Sequence, residues 1–529
     1  MSRKMVMLGA VLAALGLAGC GSNSPTAKVA SSNARATLVD NPPLRVASAN
    51  AAAFNAQLNS TPSGQQLLQL AGTPACGVDF YYIKYWTIGP DNSPQLASGA
   101  LMVPTGTAAP CTGPRPIVLY AHGTATQSTY NIADISDTSN PAYGESAMIA
   151  AVFAAQGYIV VAPNYLGYDI STLGYHPFVD GAANANDMMD ALAAARIALL
   201  STFTPTTSDD GKLYVTGYSE GGYVAMATVK AMQAAGEAVT ASAPSSGPYA
   251  LEAFGDAIFF GQVNIGSTAF GPMTRTSYNH AYGNLHNTPA QVFSATYASG
   301  IDSLLPSPEP FASLVQSGKL PQTAFFDSTI PASATGISAV DAAADQFLAL
   351  PVSPPYSAGQ AALFDTGFGS PALINNSYRV EYVDDAVVNP DQAEMTLVSG
   401  GTLTSSDIAL AATPAVGLRQ DLKLNDMRNN GWAPQEPMLL CGGDQDPTVF
   451  FQNTQIMAAQ WAPYVQGGLV SELDLNATPS GPFQALQAGF QQTYAGLVSA
   501  QGAAAIASYH STEAPFCMVA ARGFFAQVP

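Results

Sequence analysis

Lysine and arginine together number only 17 in this chain of 529 residues, against 36 aspartates and glutamates. Nucleic-acid binding draws most of its affinity from basic side chains that neutralise phosphates, so a formal net charge of −19 excludes that class of partner. Charged residues make up only 10% of the chain and hydrophobic residues 48%, which supplies a large core and excludes disorder along most of the length. Cysteine and histidine are scarce, five of each. No cysteine spacing matches a zinc ribbon or a redox CxxC pair, and no glycine-rich phosphate loop or nucleotide motif occurs. No metal and no cofactor is therefore expected. No internal repeat is present.

A long apolar run is also missing, with one short exception. Arg3 and Lys4 precede the apolar stretch Met5 to Leu17, and Leu17-Ala18-Gly19-Cys20 follows. The stretch is shorter than the roughly 20 residues a bilayer span needs, and it sits where an export signal sits. Small residues before a cysteine resemble the bacterial lipobox. That resemblance implies removal of residues 1–19, lipid on Cys20 and a place in the bacterial envelope; Gly21, which is not acidic, points to the outer membrane. The alternative is an ordinary signal peptide with Cys20 incidental. The remaining cysteines, Cys76, Cys111, Cys441 and Cys517, are even in number, as in the disulfide framework of an exported protein, and allow three pairings. Cys76–Cys111 and Cys441–Cys517 are preferred, because each pair brackets one region of the alternation described next.

Residues 20–75 are rich in Ala, Ser, Asn, Thr and Pro and read as a tether followed by an N-terminal extension. Phe80 to Ile88 and Gly99 to Val103 read as strands. Short apolar strands then alternate with helical stretches: strands at Arg115–Ala121, Tyr158–Ala162, Lys212–Tyr218 and Val239–Ala243, and helices at Glu145–Gln156, Asn186–Leu200 and Gly221–Ala235. Such alternation predicts a mostly parallel sheet with helices on both faces. The rhythm breaks over 248–432, an irregular stretch with helical patches such as Ser338–Leu350, which holds 11 of the 23 phenylalanines. Strands resume at Pro437–Cys441 and Leu469–Leu475, with helices at Phe451–Ala462 and Pro515–Phe525. One sheet domain (76–247 and 433–529) interrupted by a large insertion (248–432) fits better than two domains in series.

Gly217-Tyr218-Ser219-Glu220-Gly221 fits G-x-S-x-G between an apolar strand and a helix. There, small residues let a tight turn form while the serine hydroxyl stays exposed, which makes Ser219 the candidate nucleophile. The bland alternative is a turn whose serine merely caps the helix. A serine needs a base to take its proton, and in a strand-turn-helix elbow of this kind the chain order is serine, acid, histidine. Of His122, His176, His280, His286 and His510, only His510 lies beyond the late strand, in a loop before the last helix; the others suit packing or surface roles. Met438 to Cys441 runs into a loop with Asp444 and Asp446. Asp446, in G-x-x-D-x-x-V, is preferred as the acid that orients His510, and Asp444 as a loop cap. His122-Gly123-Thr124 follows an early strand, and the backbone N–H of Thr124, or of a neighbour one place either way, joins that of Glu220 as a candidate oxyanion hole.

Taken together, His122-Gly123, Ala162-Pro163-Asn164-Tyr165-Leu166-Gly167, Asp190 to Arg196, the serine turn, Ala243 to Pro248 and the Asp446 and His510 loops resemble the α/β-hydrolase superfamily, and within it the secretory lipases. The likeness spans Cys76 to Gly247 and Pro437 to the end; Asn164 stands where relatives often carry Asp, and the insertion is poorly matched. It implies an α/β-hydrolase fold with 248–432 as a cap or lid, and hydrolysis of a small-molecule or lipid carboxylic ester through an acyl-enzyme. A peptidase or amidase with the same triad, or a lipid-anchored binding protein without turnover, are the alternatives.

Overall fold

The apolar runs read from the sequence become strands of one nine-stranded sheet, ordered β1-β2-β3-β5-β4-β6-β7-β8-β9. This is a computed structural model that describes residues 34–203, 206–350 and 358–528. The expected signal segment 1–19 and Cys20 lie outside the described residues.

Three strands make an antiparallel flank: β1 (Leu44–Ala49), β2 (Gly77–Ile88) and β3 (Pro94–Thr105). β3 pairs antiparallel with β5 (Ile159–Pro163), and from there the sheet is parallel through β4 (Gly113–Ala121), β6 (Thr207–Tyr218), β7 (Ala241–Ser245), β8 (Met438–Gly442) and β9 (Val470–Asp474). β5, β7 and β8 are buried at every residue, as strands covered on both faces must be, and β5 and β8 therefore read as unbroken apolar runs, while β7 carries Ser242 and Ser245 inside. Helices Gly181–Ala198 and Glu220–Ala235 pack together over the sheet, and Tyr143–Val152 packs with the terminal helix Tyr509–Phe525. The fold is that of an α/β hydrolase.

Two segments correct the sequence reading. Residues 44–71, expected as tether and extension, form the edge strand β1 and the helices Ala51–Asn59 and Pro62–Ala71. β1 is short and half exposed, so its pattern is weak; pairing with the longer β2 holds it in place. The terminal helix begins at Tyr509 rather than Pro515, which puts His510 in its first turn and not in a loop. A proline inside a helix removes one backbone bond, a loss outweighed here by the burial of Phe516, Cys517 and Met518.

The described residues of 248–432 join irregular stretches with more helix than the sequence shows, including helices Leu251–Phe259, Ser267–Tyr282, Asn376–Val388 and Gly417–Asn425 between β7 and β8. Their periodicity is hidden because long Pro- and Gly-rich connections separate them, and because buried ion pairs join them alongside apolar contacts such as Phe259 on Tyr382. Arg419 holds Asp256 at 2.8 Å and Asp385 at 3.1 Å, and Arg428 holds Asp391 at 2.8 Å and Asp426 at 2.7 Å. Removing one partner would strand a buried charge, so these pairs fix how the helices meet.

Disulfides Cys76–Cys111 and Cys441–Cys517 both form. The second joins β8 to the terminal helix. Among the described residues no helix is long and apolar enough to cross a membrane.

Candidate active site

Adjacent parallel strands bring the site together at their carboxyl ends. Ala121 of β4 is in register with Gly217 of β6, and Ser245 of β7 with Cys441 of β8. The segments leaving these strands carry His122 to Thr124, Ser219, Ser246 and Asp446.

The serine turn is tight enough to demand glycine. A Cβ on Gly217 would stand 2.5 Å from the carbonyl oxygen of Ala121, and one on Gly221 would stand 2.0 Å from that oxygen. Ser219 itself has φ 62° and ψ −127°, a strained conformation for a non-glycine residue that surrounding packing must impose. The following residue, Glu220, opens the helix, where backbone N–H groups have no intrahelical partner.

On the other side, His510 Nδ1 lies 2.6 Å from Asp446 Oδ2. That oxygen also accepts from Ser246 Oγ at 2.9 Å, while Oδ1 accepts the backbone N–H groups of Thr448 at 2.9 Å and Val449 at 3.3 Å. A carboxylate so ringed by donors stays put, and it fixes the imidazole by its Nδ1 edge. His510 Nε2 is buried and has no hydrogen-bond partner. Tyr218, next to the serine, donates its hydroxyl to the carbonyl of His510 at 2.6 Å, which keeps the two segments adjacent. No hydrogen bond joins Ser219 Oγ to His510 among the described residues; resting sites often close this contact only on binding. Asp444 has a different role, its N–H bonding Asp474 at 3.1 Å.

The loop after β4 is built to hold its backbone still. Gly123 N–H donates to Glu145 at 3.0 Å, and the same carboxylate accepts the hydroxyls of Tyr120 and Tyr130. Gly123 is therefore committed, whereas Thr124 lines the same pocket as Ser219 and Glu220. Tyr165 and Tyr168 clamp the carbonyls of His122 and Ala125 from behind, at 3.0 and 2.6 Å. His122 is wholly buried, stacked on Tyr165 with ring centres 3.9 Å apart, and burial pushes its pKa down: a packing residue. His176 is buried too, 2.6 Å from the carboxylate of Glu220, and His280 stacks on Tyr175. Asn164 accepts from Ile132 N–H at 2.8 Å and donates to Ser98 Oγ at 2.9 Å, both inside the fold.

Two carboxyls went unread in the sequence. Glu145 is a lone acid in an apolar helix, a signal that was available. Glu513 sits one helical turn after His510 and is fully buried; burial and the charge of Asp446 raise its pKa well above the usual range. Among the described residues no group of three or more His, Cys, Asp or Glu is placed to hold a metal.

A model of the prolyl oligopeptidase family matches residues 145–292. Among curated proteins nothing matches the chain. Among solved structures the chain is similar to LipA, a rice cell wall degrading esterase from Xanthomonas oryzae, at 25% identity and a TM-score of 0.65, covering 94% of this chain and 100% of that one. A hydrolase-like protein of Legionella pneumophila shares the fold at 18% identity and a TM-score of 0.59, over 93% and 98% of the two chains. Sheet order, strained serine turn and these likenesses agree: the chain belongs to the α/β-hydrolase superfamily.

Proposed function

We propose that this protein is an esterase of the lipase type that cleaves carboxylic esters through Ser219, His510 and Asp446. The contact that carries the reading is Asp446 Oδ2 to His510 Nδ1, which leaves Nε2 of a neutral imidazole as the free base beside the serine turn. In the acylation step Ser219 Oγ attacks the ester carbonyl carbon as His510 Nε2 takes the hydroxyl proton. The oxyanion that forms is met by the N–H groups of Thr124 and Glu220. Collapse expels the alcohol, which leaves with the proton from His510. Water, activated by the same nitrogen, then releases the acid and restores the serine.

The test is a fluorophosphonate probe together with 4-nitrophenyl esters. The native protein should label and turn over, and Ser219→Ala should do neither while keeping its thermal transition. An unchanged rate in the folded variant would refute the assignment. Failure of the native chain to label would favour the non-catalytic binding protein.

The match to the prolyl oligopeptidase family favours one second reading, a peptidase or amidase using the same groups. Aminoacyl 4-nitroanilides run beside the esters separate the two. The lipobox-like start supports export and lipid anchoring at Cys20, at the outer membrane. Cys20→Ala should then move the protein from the membrane fraction to the soluble one; continued sedimentation with membranes would argue against that anchor.

A further inference from the structure

The insertion buries four arginines almost completely, namely Arg275, Arg379, Arg419 and Arg428. Three of them are satisfied. Arg419 pairs with the carboxylates of Glu252, Asp256 and Asp385 and Arg428 with those of Asp391 and Asp426, and Arg379 donates to the backbone carbonyls of Phe259, Leu348 and Phe347. Arg275 is the exception. Its guanidinium makes one bond, Nη1 to the carbonyl of Gly271 at 3.0 Å, while Nε and Nη2 have no partner.

Its surroundings are rings rather than acids. The guanidinium carbon lies 5.7 Å from the ring centre of Phe259, 6.0 Å from Phe293, 5.7 Å from Phe325 and 5.9 Å from Tyr378. Among the described residues no carboxylate forms an ion pair with it. Ring faces offset part of the desolvation cost of a cation, but they accept none of its in-plane N–H groups. Burial lowers the pKa of Arg275, the opposite of what the acidic partners do to Arg419 and Arg428.

This side chain lines the same pocket as Ser219, Thr124 and Glu220. The pocket is small, about 100 Å³, and its wall is mostly apolar, with Phe254, Ile258 and Phe270 on it. A pocket lined by both a nucleophile and a cation whose Nε and Nη2 have no acceptor has two chemistries to satisfy in one ligand. The geometry points to an acyl subsite in which Arg275 receives a carboxylate at the far end of the substrate's acyl chain, so that the preferred substrates are half-esters of dicarboxylic acids. A guanidinium has paired donors matched to a carboxylate, and the low-polarity wall makes that pairing strong and selective against a plain alkyl end.

The inference rests on Ser219 as the nucleophile, and the experiment keeps the two apart. Mono-(4-nitrophenyl) esters of glutaric to suberic acid are compared with 4-nitrophenyl esters of monocarboxylic acids of equal length. Turnover of the neutral esters, lost in Ser219→Ala, reports on the esterase reading alone. For at least one chain length the carboxylated ester should show a kcat/KM about tenfold or more above its neutral counterpart. That preference should fall by about tenfold in Arg275→Met and survive in part in Arg275→Lys. Higher kcat/KM for the neutral ester at every length in the native protein overturns the inference, and so does a preference unchanged in Arg275→Met. Where Arg275→Met fails to fold, the native comparison decides by itself.

Discussion

Asp446 and His510, 64 residues apart in the chain, meet at 2.6 Å through Oδ2 and Nδ1. Neither gets there alone. Asp446 is held by Ser246 Oγ and two backbone N–H groups, and His510 by the hydroxyl of Tyr218 and by a helix that a disulfide ties to β8. The pair is thus a product of four segments converging on the ends of β6, β7 and β8.

The two aspartates of the loop after β8 make a direct comparison. Asp446→Asn keeps the shape but presents an amide to His510, which favours the wrong tautomer, and should lower kcat by about 10³–10⁴-fold. Asp444→Asn leaves the bond from its own N–H to Asp474 in place and should stay within about threefold of the native rate. Steady-state kinetics with one ester measure both, and equal losses would show that Asp446 has no special role.

The Cys441–Cys517 bond closes a 76-residue loop. In the chain-entropy account its loss costs about 4 kcal/mol of stability, to be read from denaturant unfolding of Cys441→Ala/Cys517→Ala. The same double variant should lose activity at temperatures where it is still folded, because the bond joins the strand before Asp446 to the helix bearing His510. Cys76→Ala/Cys111→Ala, whose bond links the start of β2 to the turn before β4, should lose stability without that extra loss of rate.

Asp187 makes stability depend on pH. It is fully buried, accepts the hydroxyl of Tyr85 at 2.7 Å and has no partner for its second oxygen; burial raises its pKa from 3.8 to about 7. The native protein therefore keeps a proton that the unfolded chain releases near 3.8, so this contribution is complete below about pH 4 and fades as pH rises to about 7. Asp187→Asn has no proton to lose and should be more stable than the native chain above about pH 7, with the gain vanishing near pH 4. Urea midpoints taken across that range for both proteins check the sign; a constant difference would place the cause elsewhere.

Much of the site was legible in the residues, for reasons of local chemistry. The spacing of Gly217, Ser219 and Gly221 is imposed within five residues by a turn that admits no Cβ at its ends, so it had to appear in the chain. Only five histidines exist, and their order along the chain singles out His510. Strands β5 and β8, and residues 117–121 of β4, read as apolar runs because both of their faces are covered, and alternation with helices implied a parallel sheet.

What only the tertiary structure decided are matters of long-range pairing, which leave no local trace. The edge strand β1 exists because β2 offers it hydrogen bonds, and the terminal helix runs through Pro515 because its buried face and a disulfide outweigh one missing bond. The helices of 248–432 are joined by arginine–carboxylate pairs whose members lie up to 163 residues apart, so no window of sequence shows them. Arg275 is the sharpest case. In the sequence it is one arginine among few; that its Nε and Nη2 have no acceptor became visible only when the fold placed rings, and no paired carboxylate among the described residues, around it.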